Sequence, residues 1–182
     1  MATASHTSTT KSSSARKSTT AKKAGSTRSK DAIAVLKAQH REVEKLFGLF
    51  TKAKGDRQAN LCRQICMELK VHTQIEEELL YPQAHDEIND PELVDESLVE
   101  HRAAKELIAQ IEGTDQADEM FAARMQVLQE QIEHHVKEEE TELFPKIRKS
   151  DMDLKRIGEQ LQQRTSELKA EMKGDGRGRG MH

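Results

Sequence analysis

Tryptophan is absent from these 182 residues, tyrosine occurs once and phenylalanine four times. Aromatics at 3% leave little to fill the interior of a sandwich or barrel, whereas charged residues at 34% suit soluble helices. No apolar run approaches the roughly 20 residues that span a bilayer, so no membrane-crossing segment is expected. Cys62 and Cys66 are the only cysteines and fall four apart on one expected helix. That spacing does not make a disulfide framework, and it points to free, core-packed thiols in a reducing, cytoplasmic setting. Proline is scarce too: Pro82, Pro91 and Pro145 each fall where a helix is expected to begin, bend or end.

Acid is missing altogether from residues 1–30, which carry seven Lys or Arg and are half Ser and Thr. The net charge of −3 therefore hides an asymmetry, with 22 basic against 32 acidic residues in the remainder. So little apolar surface cannot offset the entropy of ordering, and residues 1–30 are expected to be a disordered tail. The tail reads as solubilising, as an arm for nucleic-acid phosphates, or as a targeting peptide, although no secretory apolar stretch is present. Residues 174–182, "GDGRGRGMH", are expected to form a second flexible end.

What lies between is helical by period. Helix one is expected from about Asp31 to Ala53, and helix two, after the loop "KGDR", from Gln58 to Tyr81, stopping or kinking at Pro82. "NDPE" is a start signal, with Asp90 as N-cap and Pro91 in the first turn of a helix that Gly113 ends. Helix four is expected over Ala117–Phe144, up to Pro145, and a fifth over Asp151–Met172 with Leu154, Ile157, Leu161 and Leu168 inward. Short connections make antiparallel neighbours. The fold class is thus all-α, a four-helix up-and-down bundle over residues 31–147 with an added C-terminal helix within 148–173.

Each apolar seam is interrupted by a histidine. Ile33, Leu36, Val43 and Phe47 leave a place that His40 fills; Leu61, Ile65 and Leu69 lead to His72 and Glu76, then Leu79. Val94 and Leu98 lead to His101 and Ile108, and Phe121, Met125, Leu128 and Ile132 lead to His135 and Glu139. Six inward ionisable groups left without partners would cost several kcal/mol each, more than a domain of this size can absorb. They must neutralise one another or share a cation. A His-to-Glu step of four places both side chains on one helical face, where one metal centre can collect both.

The seam is also duplicated. "HTQIEEELLYP" from His72 and "HVKEEETELFP" from His135 agree at His, at two successive acids, at Leu, at an aromatic and at Pro. "KAQHREVEKLF" around His40 resembles "LVEHRAAKELI" around His101. Alignment of the repeats selects His135 over His134 and Glu139 over Glu140. Two helix pairs packed about a pseudo-twofold axis suit two metal ions bridged by two carboxylates. Structural zinc, with four ligands, would leave two of the six groups over, and a bis-histidine haem would leave the glutamates unexplained. Mixed imidazole and carboxylate favours iron, with manganese or a mixed pair behind it.

The order His40, His72–Glu76, His101, His135–Glu139 resembles that of the hemerythrin-like HHE cation-binding domains. The resemblance implies a non-haem di-iron centre in a four-helix bundle, with the histidines as terminal ligands and Glu76 and Glu139 as bridges. It implies reaction with, or sensing of, dioxygen, peroxide or a related small oxidant. Oxygen-carrying hemerythrins have a further histidine one turn after His101, where this chain has Lys105. That substitution leaves an additional open coordination position, and Lys105, if turned inward, would place a cation by a bound peroxide.

Two classes of function follow, a binding or sensing protein and a peroxide-decomposing enzyme; nucleic-acid association through the basic tail is a third. Glu44, one turn beyond His40, is a candidate extra ligand or flanking acid. Glu77 and Glu140 are expected to be paired or solvated, Tyr81 to serve packing, and His6 and His85 to be exposed.

Overall fold

Asp31 caps the first helix, α1 (Ala32–Phe50), by accepting the Ala34 N–H through Oδ1 at 2.8 Å. The computed structural model describes residues 1, 2, 31–115 and 117–178. The expectations of a disordered tail and of nucleic-acid contact through it, and the last four residues of the expected flexible end, lie outside the described residues. Helix α2 (Gly55–Ile75) begins earlier than expected, because Gly55 takes φ +56° and turns the chain straight from the loop into the helix.

Neither Pro82 nor Pro145 stops its helix. After α2 the chain widens into a π-helical turn, Glu76–Leu80, and then continues as α3 (Tyr81–Glu87) straight through Pro82. After α5 (Phe121–Glu138) it does the same: a π turn at Glu139–Leu143, then α6 (Phe144–Ile147) containing Pro145. In each widened turn the N–H before the proline reaches back five residues, Tyr81 to the Glu76 carbonyl and Phe144 to the Glu139 carbonyl. A proline inside a regular α-helix clashes with the carbonyl four residues back and removes a hydrogen bond; the extra residue in the turn relieves that clash. Both π turns start on the glutamate of a His-to-Glu pair.

Helix α4 (Glu92–Glu112) follows, with Pro91 rather than Asp90 at the cap position; the Asp90 carboxylate instead meets Lys146 Nζ at 2.6 Å. The fourth long helix starts at Phe121 and not at Ala117. Asp115 and Asp118 accept the Ala117 and Met120 N–H groups at 2.9 and 2.7 Å, turns that compete with helix at this junction. The inward line of α4 steps through Val94, Ser97, His101, Ala104 and Ile108, so Leu98 is left 38% exposed. Within the π turn, Leu80 and not Leu79 carries the buried line.

Helix α7 (Leu154–Gly178) passes the expected end at residue 173 and lies against α1 and α2. It is no loose appendage: Ile157, Leu161 and Leu168 are buried in one apolar cluster with Ile33, Leu36, Ile75, Tyr81 and Phe144. A second cluster, built on Phe47, Ile65, Ile108, Met125 and Leu128, fills the other end of the bundle and takes in Cys62 and Cys66 as free, buried thiols. On every long helix of the bundle the inward histidine or glutamate falls between the two clusters. The core is divided by a polar belt.

Leu161 is fully buried, so Leu161→Ala should cost about 2–5 kcal/mol in urea unfolding with an unchanged slope. A cost below about 1 kcal/mol would show that α7 is not part of the cooperative unit.

Candidate metal centre

Helices α1, α2, α4 and α5 each deliver one imidazole to the belt, and the two π turns each deliver one carboxylate. His40, His72, Glu76, His101, His135 and Glu139 are all buried, whereas His134 stands outside with its side chain 62% exposed. The rings are held from behind. His40 Nδ1 donates to Glu140 Oε1 at 2.9 Å, His72 Nδ1 to Gln39 Oε1 at 2.7 Å, His101 Nδ1 to Glu77 Oε1 at 3.0 Å and His135 Nδ1 to Glu100 Oε2 at 2.7 Å. Carboxylate and amide oxygens only accept, so the proton of each neutral ring sits on Nδ1 and Nε2 is left with a bare lone pair.

Those lone pairs converge. His40 Nε2 and His72 Nε2 are 3.2 Å apart, and His101 Nε2 and His135 Nε2 are 3.1 Å apart. With both Nδ1 atoms protonated there is no hydrogen to place between either pair. The carboxylates add to the excess of acceptors. Glu76 Oε2 lies 3.2 Å from His72 Nε2 and 3.5 Å from His101 Nε2, and Glu139 Oε2 lies 3.2 Å from His40 Nε2 and 3.6 Å from His135 Nε2. Both oxygens of Glu76 and Oε2 of Glu139 are buried without a hydrogen-bond donor. Acceptors in this number, taken out of water with nothing to accept, are strongly unfavourable unless a cation sits among them.

The donor atoms form two groups. One draws on His40, His72, Glu76 and Glu139, the other on Glu76, His101 and His135, with all ligand atoms of a group within 4.8 Å of one another. Glu76 belongs to both, and Glu139 touches a histidine of each. Electrostatics agree with this crowding. Burial, then the charge of Glu139, pushes the Glu76 carboxyl well up. Burial opposes ionisation of Glu139 as well, but the His135 and His40 contacts prevail and hold it low. Burial drives His72 and His101 down, keeping both rings neutral and ready to ligate. His135 moves the other way, because the Glu139 and Glu100 carboxylates outweigh its burial.

Two expected candidates stand apart. Glu44 pairs with Arg41 on the surface of α1 and contributes to neither group. Lys105 does not turn inward: its Nζ bonds both oxygens of Glu77 at 2.6 Å, and Glu77 in turn holds His101. Its place on α4 is one turn past His101, and an acid from the neighbouring π turn intercepts it there. Tyr81 does more than pack. Its hydroxyl donates to Glu139 Oε1 at 3.0 Å and lies 3.3 Å from His101 Nε2. Its counterpart in the repeat, Phe144, stacks on His40 with ring centroids 5.8 Å apart.

Gln39 and Glu100 were not singled out from the sequence. The signal was present: each directly precedes the lone histidine of its repeat, and each supports the histidine of the next long helix. Beside the first group, Val43, Leu69, Ile132 and Val136 join His40, His72 and His135 around a cavity of about 10 Å³. That is about the smallest space that admits one water-sized molecule.

The hemerythrin HHE cation binding domain family model matches residues 31–147. No curated protein matches. Among solved structures, the crystal structure of a hemerythrin HHE cation binding domain-containing protein from Mycobacterium kansasii is similar in fold, with a TM-score of 0.72 at 23% identity, covering 84% of this chain and 95% of that one. Among the described residues no helix is long and apolar enough to cross a membrane.

The hydrogen bond from His101, with help from Lys105, holds the Glu77 carboxyl down to about 2 from an ordinary 4.5. A depressed folded-state value stabilises the fold at pH above about 4.5, and that stability is lost as pH falls toward about 2. Glu77→Gln should therefore be less stable than wild type at neutral pH, with a deficit that shrinks steadily below pH about 4.5. Urea unfolding of both proteins across that range checks it; a deficit that stays constant would contradict it.

Proposed function

Because the chain belongs to the hemerythrin HHE cation-binding family, we propose that its polar belt holds two non-haem iron ions and that the centre reacts with, or senses, dioxygen, peroxide or a related small oxidant. The observation that carries this reading is the set of four Nε2 lone pairs turned inward by their Nδ1 hydrogen bonds, around carboxylate oxygens that have no donor. His40 and His72 would serve one ion, His101 and His135 the other, with Glu76 and Glu139 between them. Bound iron would supply the electrons that reduce the oxidant.

The chain's own groups set what can reach that centre and how protons are held there. The cavity beside His40 and His72 is apolar and of water size, which suits a diatomic molecule or peroxide and excludes organic substrates. Tyr81 brings an O–H to the belt, parked on Glu139 Oε1, and burial raises its own ionisation well beyond the ordinary tyrosine range. Tyr81 does not line that cavity, so its proton would be held on Glu139, across the belt from the cavity, and given up only when a strong base forms there. Lys105 acts at one remove, by neutralising the carboxylate that supports His101. With lysine in place of a further histidine, reduction of the oxidant, which would leave the iron ferric, is favoured over durable oxygen carriage.

Iron-loaded full-length protein, reduced anaerobically and mixed with peroxide, should consume it and turn ferric. Glu139→Gln should abolish the reaction and Tyr81→Phe should slow it about 10–100-fold, the range of a lost proton donor, with helicity unchanged. Iron-loaded protein inert to both peroxide and dioxygen would overturn the proposal. A spectrum that cycles with oxygen pressure and ignores peroxide would assign reversible carriage instead.

A further inference from the structure

The two halves of the belt are related by the sequence repeat, and the ways in which they differ are informative. On the side of His101 and His135 both supports are carboxylates. Glu77 is balanced by Lys105 at 2.6 Å, and among the described residues Glu100 meets histidine nitrogens only, His135 Nδ1 at 2.7 Å and His134 Nε2 at 3.7 Å. On the side of His40 and His72 the support positions equivalent to Glu77 and Glu100 are held by Glu140 and Gln39. Glu140 is shared with Lys37 at 3.2 Å and with Arg41, and Gln39 carries no charge. Counted over the supports and their basic partners, the second half is the more negative. Gln39 is also oriented on purpose: its Nε2 donates to Thr165 Oγ1 of α7 at 3.2 Å, which leaves its oxygen for His72. The aromatic position differs too, with the Tyr81 hydroxyl at the second half and the apolar Phe144 ring at the first.

We propose that the two cation positions are graded. The His101–His135 position is the tight one, filled first, and the His40–His72 position is the weaker, exchangeable one. A carboxylate on Nδ1–H makes the opposite nitrogen a stronger donor to a metal than an amide does, and the surrounding negative charge adds to the preference. The inference rests on the two-cation reading of the belt, and Gln39 and Glu100 act in it as positioning residues through the imidazoles that they hold.

Calorimetric titration of Co(II) into chelator-treated full-length protein tests it, with isosteric variants that change one charge each. Mutual repulsion of the cations would give two steps even in an ungraded site, so the variants decide. If the positions are graded, Glu100→Gln weakens the first step, by up to 10–100-fold, and Gln39→Glu tightens the second while sparing the first. Thr165→Val, which releases Gln39, weakens only the second. If the positions are equal, the first cation avoids the altered half: Glu100→Gln spares the first step and weakens the second, and Gln39→Glu tightens the first. That pattern would overturn the grading and leave the two-cation reading standing. Uptake of no Co(II) at either step would overturn both.

Discussion

Four imidazole nitrogens with no proton between them, packed around two carboxylates, are the constraint on which the rest of this bundle depends. Among the described residues, no fixed donor satisfies those atoms while the rings are neutral, because the hydrogen bond on the far side of each ring takes up its one proton. The apolar core is split to accommodate them, with one cluster around Phe47, Met125 and Leu128 and another around Leu36, Phe144 and Leu161. Hydrophobic burial on either side keeps water away from the belt and so raises both the cost of leaving it without a cation and the strength of binding one.

Several features that look incidental follow from that demand. The π turns begin on Glu76 and Glu139, and each inserts one residue so that the next acid, Glu77 or Glu140, can turn to a histidine of another helix. The prolines beyond them lock the widened turns in place. Helix α7 lies outside the residues that the family model matches, yet it covers the apolar cluster of Leu36 and Phe144 and reaches the belt through Thr165 and Gln39. A device repeated in sequence is thereby made unequal in space: a tyrosine and a glutamate serve one half, a phenylalanine and a glutamine the other.

The helices and the inward histidines were legible because period and repetition are local signals that survive in a single sequence. His40, His72, His101 and His135 interrupt apolar seams, and the repeat picks out Glu76 and Glu139 from among their acidic neighbours. The supports were harder to read. Gln39, Glu77, Glu100 and Glu140 each hold a histidine of a different helix, and such pairings depend on packing angles that no local pattern records. The stop or kink expected at Pro82 and Pro145 takes the form of a π turn with the helix continuing, since the rule that proline breaks a helix assumes the regular turn that the π segments replace. Lys105 is legible as an unusual residue at its place, but only the neighbouring Glu77 decides that it turns aside.

A bundle with this belt needs metal to complete it. Elemental analysis of the full chain, expressed with iron and purified without chelator, addresses this most directly when paired with the same measurement on His135→Ala. About two iron ions per wild-type chain are expected, as for a carboxylate-bridged site in a helical bundle, with a clear loss of iron in the variant. Folded wild-type protein that carries a single zinc, or no metal at all under those conditions, would contradict it.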